Sequence, residues 1–320
     1  MSLIEQPNAA DRNGCSRLLV GVVLALVAFL AKSPLAEAQD LEPRRWTHLP
    51  VGTNYLGAAY VDTAADVFFD PVLEIEDAEA DFQTAVLSYI HSFDLGGRNA
   101  RFDIRVPYQK AQWQGLLQGR QRSTAREGFG DPRIRLSVNF LGAPALSGEA
   151  FRDYRSSRSN STVAGAALSV SLPLGEYYED RLLNIGQNRY VIRPQAGVVH
   201  TRGSWSFELT GSVFFHTDNV KFTGDRSRAQ DPLPALQGHV ILTLQPGLWV
   251  SASVGYGWGG ESSVDGLPKN DPKQDFLSAV SLGIPVSPKT GIRLTYVRAR
   301  TDEDIGSDSD SVAISLSRRF

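Results

Sequence analysis

Cysteine, methionine and histidine are scarce in this sequence, with one Cys, one Met and five His among 320 residues. The lone cysteine, Cys15, stands near the start, so the rest of the chain has no thiolate nucleophile and no cysteine-ligated metal. An excess of one charge is also missing: 32 Lys+Arg face 35 Asp+Glu. Nucleic-acid binding needs a clustered basic excess, so it is not expected. No G-x-S-x-G element occurs, and His48, His91, His200, His216 and His239 are scattered. Nothing therefore marks an enzyme, and no catalytic residue, cofactor or metal is expected. Finally, no helix-length apolar run follows Lys32, which excludes a helical membrane protein.

The one apolar run begins at Leu18 and ends at Ala31. It spans about 14 residues, short of the ~18 or more that a transmembrane helix needs. Arg12 and Arg17 precede it, and the small-x-small triplet Ala36-Glu37-Ala38 follows. Together these read as a secretory signal peptide over residues 1–38, with a mature chain over residues 39–320. A lipoprotein anchor on Cys15 fails on position, because the cysteine precedes the apolar run. A mature chain without cysteine suits an oxidising compartment.

Alternation organises the mature chain. Between Trp205 and Val213 every odd position is apolar or Gly and every even one polar. Phe102, Ile104 and Val106 alternate with Arg101, Asp103 and Arg105; Ile134, Leu136, Val138 and Phe140 alternate with Arg133, Arg135, Ser137 and Asn139. A period of two means a strand with one apolar and one polar face. Twelve such strands are predicted, over residues 52–61, 82–93, 101–112, 132–141, 162–174, 190–201, 204–216, 238–245, 249–258, 275–284, 291–300 and 311–320. Most are about ten residues or longer, which fits a tilted membrane-spanning strand of about 9–11 rather than the usual globular five or six.

The connections alternate as well. Short turns such as Gly96-Gly97-Arg98 and Pro246-Gly247 exchange with long polar loops over 62–81, 115–130, 175–189, 217–235 and 259–274. Outer-membrane barrels combine an even strand count with short periplasmic turns and longer outer loops. The expected fold is thus an all-β, membrane-spanning antiparallel β-barrel in a bacterial outer membrane. A sandwich would share the alternation, but strand length, loop asymmetry and the export signal favour the barrel. Residues 142–161 break the rule as a long periplasmic connection, and a short helix is expected around 145–151. Pro107 and Pro194 fall inside strands; proline cannot donate to the ladder, so a bulge is expected at each.

Strand parity sends a set of charges inward. Asp103, Arg105, Arg133, Arg135, Arg193, Glu208 and Arg293 are candidate lumen-lining residues, and Arg319 shares their parity. Rings of arginine favour anions in anion pores, whereas Arg–carboxylate pairing would simply fill the interior; the sequence leaves both open. Gly255-Tyr256-Gly257-Trp258-Gly259-Gly260 fits G-x-G-x-x-G but lies within an alternating strand, against a dinucleotide site. Asp302, Glu303, Asp304, Asp308 and Asp310 read as an exposed acidic loop, within reach of divalent ions between lipopolysaccharide molecules.

Two blocks resemble a bacterial outer-membrane transporter family, named for the meta-pathway of phenol degradation. The first is Gly128-Phe129-Gly130-Asp131-Pro132 with Asn139-Phe140-Leu141-Gly142-Ala143-Pro144-Ala145-Leu146. The second is Ser171-Leu172-Pro173-Leu174-Gly175 with Leu183-Asn184-Ile185-Gly186-Gln187-Asn188-Arg189. The terminal Phe320 resembles the signal read by the barrel assembly machinery, although Arg318 stands where an apolar residue is usual. The resemblance implies an outer-membrane channel passing small solutes, aromatic or hydrophobic ones among them, by passive diffusion. The alternative is a closed barrel with a structural or surface-binding role. Expected partners are outer-membrane lipids, lipopolysaccharide, the assembly machinery and the solutes.

Overall fold

The computed structural model describes residues 41–320; the expected signal peptide and its cleavage point lie outside the described residues. Seventeen strands follow in order. They are β1 (Thr53–Phe68), β2 (Ile75–Leu95), β3 (Arg98–Leu117), β4 (Arg120–Phe129), β5 (Arg133–Pro144) and β6 (Asn160–Ser171). Then come β7 (Val191–Arg202), β8 (Trp205–His216), β9 (Asn219–Phe222), β10 (Arg226–Gln230), β11 (Leu233–Gln245) and β12 (Leu248–Gly259). The last are β13 (Ser262–Val264), β14 (Leu267–Pro268), β15 (Lys273–Ser287), β16 (Thr290–Thr301) and β17 (Gly306–Arg319). One helix, α1 (Gly148–Ser156), lies between β5 and β6.

Twelve of these strands close a barrel of antiparallel neighbours, β1-β2-β3-β5-β6-β7-β8-β11-β12-β15-β16-β17. The ring is sealed by the first strand against the last, from Tyr55↔Arg319 to Phe68↔Gly306. Closure pairs the backbone groups that hydrocarbon leaves without a partner. Outward stand Leu87, Phe207, Leu236, Val254, Ile314 and Leu316, all exposed. An apolar belt of that extent around a closed sheet is a lipid-facing surface. The chain is a membrane-spanning β-barrel of the outer-membrane type. At the outer rim Tyr256 and Trp258 stack with ring centroids 5.8 Å apart, in keeping with an interfacial girdle.

The twelve predicted strands all overlap barrel strands, but the polar loops hold more sheet than alternation suggested. β2 and β3 run for 21 and 20 residues, and β3 continues past β5 to pair with β4, from Tyr108↔Phe129 to Leu117↔Arg120. A second sheet, β14-β13-β10-β9, forms in two other outer loops. Beyond the membrane neither face of a strand need be apolar, so Arg120-Gln121-Arg122-Ser123 carries no alternation and still forms β4.

Neither expected proline bulge forms. Pro107 pairs with Val86 in unbroken register. On its other side β3 changes partner, from β5 at Arg105 to β4 at Tyr108, so the missing N–H falls at that gap. Pro194 sits opposite Leu168, and the ladder to β8 skips residues 193 and 194 and resumes in the same register. Bulges occur elsewhere, among them one between Asn139 and Leu141 on β5. Gly142 follows it at φ 72°, with its α-carbon against the Thr162 carbonyl oxygen. The expected periplasmic helix forms a few residues later than predicted, at Gly148–Ser156. Its Tyr154 hydroxyl donates to the Gly142 carbonyl at 2.9 Å.

A Cβ at position 142 would overlap the Thr162 carbonyl and strain a left-handed backbone. Gly142→Ala is therefore expected to lower the yield of folded barrel. The measurement is the heat-modifiable gel shift after refolding, and a wild-type shift would contradict this account.

Candidate functional site: the lumen and the segment that fills it

The chain enters the barrel before it becomes a strand. Residues 41–50 lie inside the lumen against the inner faces of β3, β5, β7, β8 and β12, with Arg44 in a left-handed turn (φ 68°). Glu42 is the anchor. Its carboxylate takes Arg105 at 2.6 Å, Arg135 at 2.6 Å, Arg133 at 3.3 Å and Arg45 at 3.8 Å. Asp103 joins from β3, 2.9 Å from Arg101 and 3.1 Å from Arg135. Arg45 donates from its side chain to Ser137 Oγ at 2.5 Å and from its backbone N–H to Glu208 Oε1 at 3.0 Å.

Trp46 is the hydrophobic half of the anchor. It is 0 % exposed, and its indole N–H donates to Thr210 Oγ1 at 2.8 Å. Two facing glycines, Gly165 and Gly197, make its slot: a Cβ at 165 would come 2.6 Å from the ring, and one at 197 would strike the indole nitrogen. Gly255 leaves similar room, since its Cβ would lie 2.9 Å from Leu41 Cδ2. Burying a side chain of this size removes about 150–250 Å2 from water. At about 25 cal/mol per Å2 that is worth at most about 4–6 kcal/mol. Further on, Leu49 exchanges bonds with Asn99, N–H to Oδ1 at 3.3 Å and Nδ2–H to the Leu49 carbonyl at 2.8 Å. His48 packs edge-on to Phe151 and Tyr154 of α1, so the helix holds the segment at the periplasmic mouth.

The candidate lumen residues separate accordingly. Asp103, Arg105, Arg133, Arg135 and Glu208 meet at this segment. Arg193 lies apart, donating to Ser212 Oγ at 3.1 Å and covering the Phe214 ring at 4.2 Å. Arg293 points inward at the exposed periplasmic end, opposite Gly283 and Ser315. The arginines around Glu42 are thus engaged by carboxylates, the arrangement that fills an interior. Glu42, Arg45 and Trp46 are absent from the sequence-derived set because they precede the first alternating segment. The only trace of them was the run of glycines at inward-facing positions 165, 197 and 255.

This filling is one-sided. Most inward residues of β5 through β15 are buried, among them Ser169, Gln195, Thr210, Gln237, Ser253 and Ser281. Those of β16, β17, β1 and β2 stay partly accessible: Thr295 and Val297, Ala313 and Ser315, Gly57, Ala59 and Val61, Thr84, Val86 and Ser88. The open part of the lumen is a lane along this wall, lined by small uncharged side chains. At the periplasmic end it reaches the exposed Ser317 and Arg293.

The motif residues build the outer end. Asp131 accepts from the Gly175 N–H at 2.9 Å and the Gln187 N–H at 2.8 Å, clamping the β6–β7 loop to the β4–β5 corner. Burial raises the Asp131 carboxyl above the ordinary range, against the lowering by those amides. Asn184 closes a turn by accepting from Tyr178 N–H at 2.7 Å and donating to the Tyr178 and Arg181 carbonyls. The expected exposed acidic loop is only partly a loop: Asp308 and Asp310 lie half-buried on β17, where they pair with Arg300 of β16 at 3.5 and 2.9 Å. Among the described residues no group of three or more His, Cys, Asp or Glu is placed to hold a metal.

A closed twelve-strand barrel with a lipid-facing exterior and a partly filled polar interior defines the class, a β-barrel of the outer-membrane type. A family model described as "Putative MetA-pathway of phenol degradation" matches residues 64–305, and the chain belongs to that family. Among solved structures it is similar to an outer membrane channel from Pseudomonas putida F1. That likeness has a TM-score of 0.68 at 21 % identity and covers 88 % of this chain and 100 % of that one. The toluene transporter TodX of Pseudomonas putida is similar at TM-score 0.43 and 10 % identity, over 85 % of this chain and 90 % of that one. The transport unit of the autotransporter AIDA-I from Escherichia coli is similar at TM-score 0.45 and 9 % identity, over 88 % and 93 %. These last two share the general barrel form alone. No curated protein matches.

Removing the Glu42 carboxylate leaves Arg105, Arg133 and Arg135 crowded without their shared counter-ion. Glu42→Ala is expected to destabilise the barrel by about 3–5 kcal/mol, the usual loss when one partner of a buried ion pair goes. The urea midpoint of unfolding from vesicles measures it. Gly197→Val should expel Trp46 and raise the fraction of tryptophan fluorescence quenched by acrylamide; unchanged quenching would count against the slot.

Proposed function

We propose that this protein is a non-catalytic, passive outer-membrane channel for small solutes, aromatic or hydrophobic ones among them. The observation that carries the reading is the lane. A filled lumen would bury every inward residue, yet along the middle of β16, β17, β1 and β2 Thr295, Val297, Ala313, Ser315, Gly57, Ala59, Val61, Thr84, Val86 and Ser88 keep contact with solvent. Its lining of Gly, Ala, Val, Ser and Thr offers no charge to bind or repel, so a solute is sorted by size and polarity rather than by sign. The membership of the family and the barrel shared with the Pseudomonas putida F1 channel support this reading. On the same reading the chain is exported with its signal removed near Ala38. Its long outer loops face lipopolysaccharide, and the assembly machinery reads the terminal strand, whose Phe320 side chain is 62 % exposed.

One observation favours a second reading, a closed barrel of structural or surface-binding role: the internal segment and its ion pairs bury most inward residues from β5 to β15. Liposome swelling separates the two. The channel reading expects catechol, a small uncharged aromatic, to enter liposomes bearing the mature chain faster than protein-free ones; equal rates would leave only the closed barrel. Trp46→Ala, which loosens the internal segment, is expected to raise the rate further.

A further inference from the structure

The lane that opens to the periplasm does not open outward. At the outer level of the same wall Ala65, Ala80, Ala111 and Trp113 are buried in one apolar cluster, with Phe82 and Val67 packed on it. All of these side chains point inward, by the parity that also directs Val61, Thr63 and Thr84 into the lane. The cluster therefore lies on the inner face of the sheet, at the outer end of the wall that lines the lane, where β3 has left β5 and pairs with β4. The Phe82 and Trp113 rings meet edge to face, 5.6 Å between centroids at 89°.

The residue that completes it comes from no barrel strand. Leu183, on the β6–β7 loop, packs against the cluster. Its position follows from the clasp described above. Asp131 holds Gly175 and Gln187 at the two ends of the loop, Asn184 closes the turn, and Gly186 lies so near the Gly175 backbone that a Cβ would come within 2.9 Å. The polar part of the second family-like block is thus scaffolding, and its product is one leucine held against the cluster that contains the Trp113 ring.

We infer that Leu183, Phe82 and Trp113 form an apolar gate at the outer end of the lane, and that this gate is also the first binding site for an uncharged aromatic ring. The inference rests on the channel reading and adds to it where the barrier lies and what passes it. Water and ions are excluded because nothing in the cluster can replace their hydration. A neutral ring loses little on leaving water and regains aromatic contacts with Phe82 and Trp113 as it takes the place of Leu183. A charged ring of the same size carries its carboxylate into the cluster and is refused.

The test uses the mature chain in planar bilayers in potassium chloride, with benzyl alcohol and benzoate as probes. Leu183→Ala is expected to conduct several-fold more than wild type, as is Leu183→Thr should the first variant fold poorly; Leu183→Met should match wild type. Benzyl alcohol, filling the vacated space, is expected to block the Leu183→Ala current reversibly, benzoate at equal concentration to leave it, and a second change, Trp113→Ala, to abolish the block. Wild-type conductance in both small-residue variants, while Trp46→Ala passes current, overturns the gate and spares the channel. Equal block by benzoate overturns the apolar recognition. No current from Leu183→Ala, Trp46→Ala or their combination sinks the channel reading itself.

Discussion

A carboxylate enters a wall that carries three inward arginines. Arg105, Arg133 and Arg135 stand together on β3 and β5, and Glu42 and Asp103 lie close enough to offset them. Left alone in a narrow lumen, those guanidiniums would repel one another and hold water. With Glu42 among them they become an anchorage. That anchorage fixes Arg45 on Ser137 and Glu208, which fixes Trp46 in its glycine slot, which leaves the opposite wall as the open side. The cross-section of the pore is therefore set by an ion pair rather than by strand number.

The barrel divides its interior between two chemistries. One side is charged, paired and dry; the other is small, neutral and wet, and it narrows outward into an apolar cluster. The separation matters for transport. A solute moving along β16, β17, β1 and β2 meets small uncharged side chains until Arg293 at the periplasmic mouth. The arginines that a parity argument would place around an anion path are turned into structure.

The strands were legible because lipid demands an apolar face on each one, and that demand writes a period of two into the sequence. Leu136 and Phe140 show it on β5, as do Phe207 and Leu209 on β8. Where lipid ends, so does the pattern: β4 and the β9–β10–β13–β14 sheet were hidden because their residues answer only to pairing. The prolines misled for a related reason. Alternation locates Pro107 within a strand but says nothing of the change of partner on β3 that makes its missing donor harmless. Inward residues could be assigned by parity, so Asp103 and Arg135 were visible, but which of them meet depends on what enters the lumen from elsewhere. Residues 41–50 have neither helical nor strand periodicity, and their partners lie as far as 164 positions away, as for Trp46 and Thr210.

The internal segment also limits the routes by which this molecule can be assembled. It is joined to β1 through Val51 and Gly52, while its partners lie on β3 through β12. The seam between β1 and β17 is what shuts the cylinder. A stretch bearing a buried indole and two guanidinium groups has no way sideways through a finished wall of hydrogen-bonded backbone. Residues 41–50 therefore take their seat before that seam zips or slide in by the end of the cylinder where His48 meets α1. Either way they serve as a mandrel for the sheet, and a chain that has not placed Glu42 and Trp46 is left with its interior unfilled.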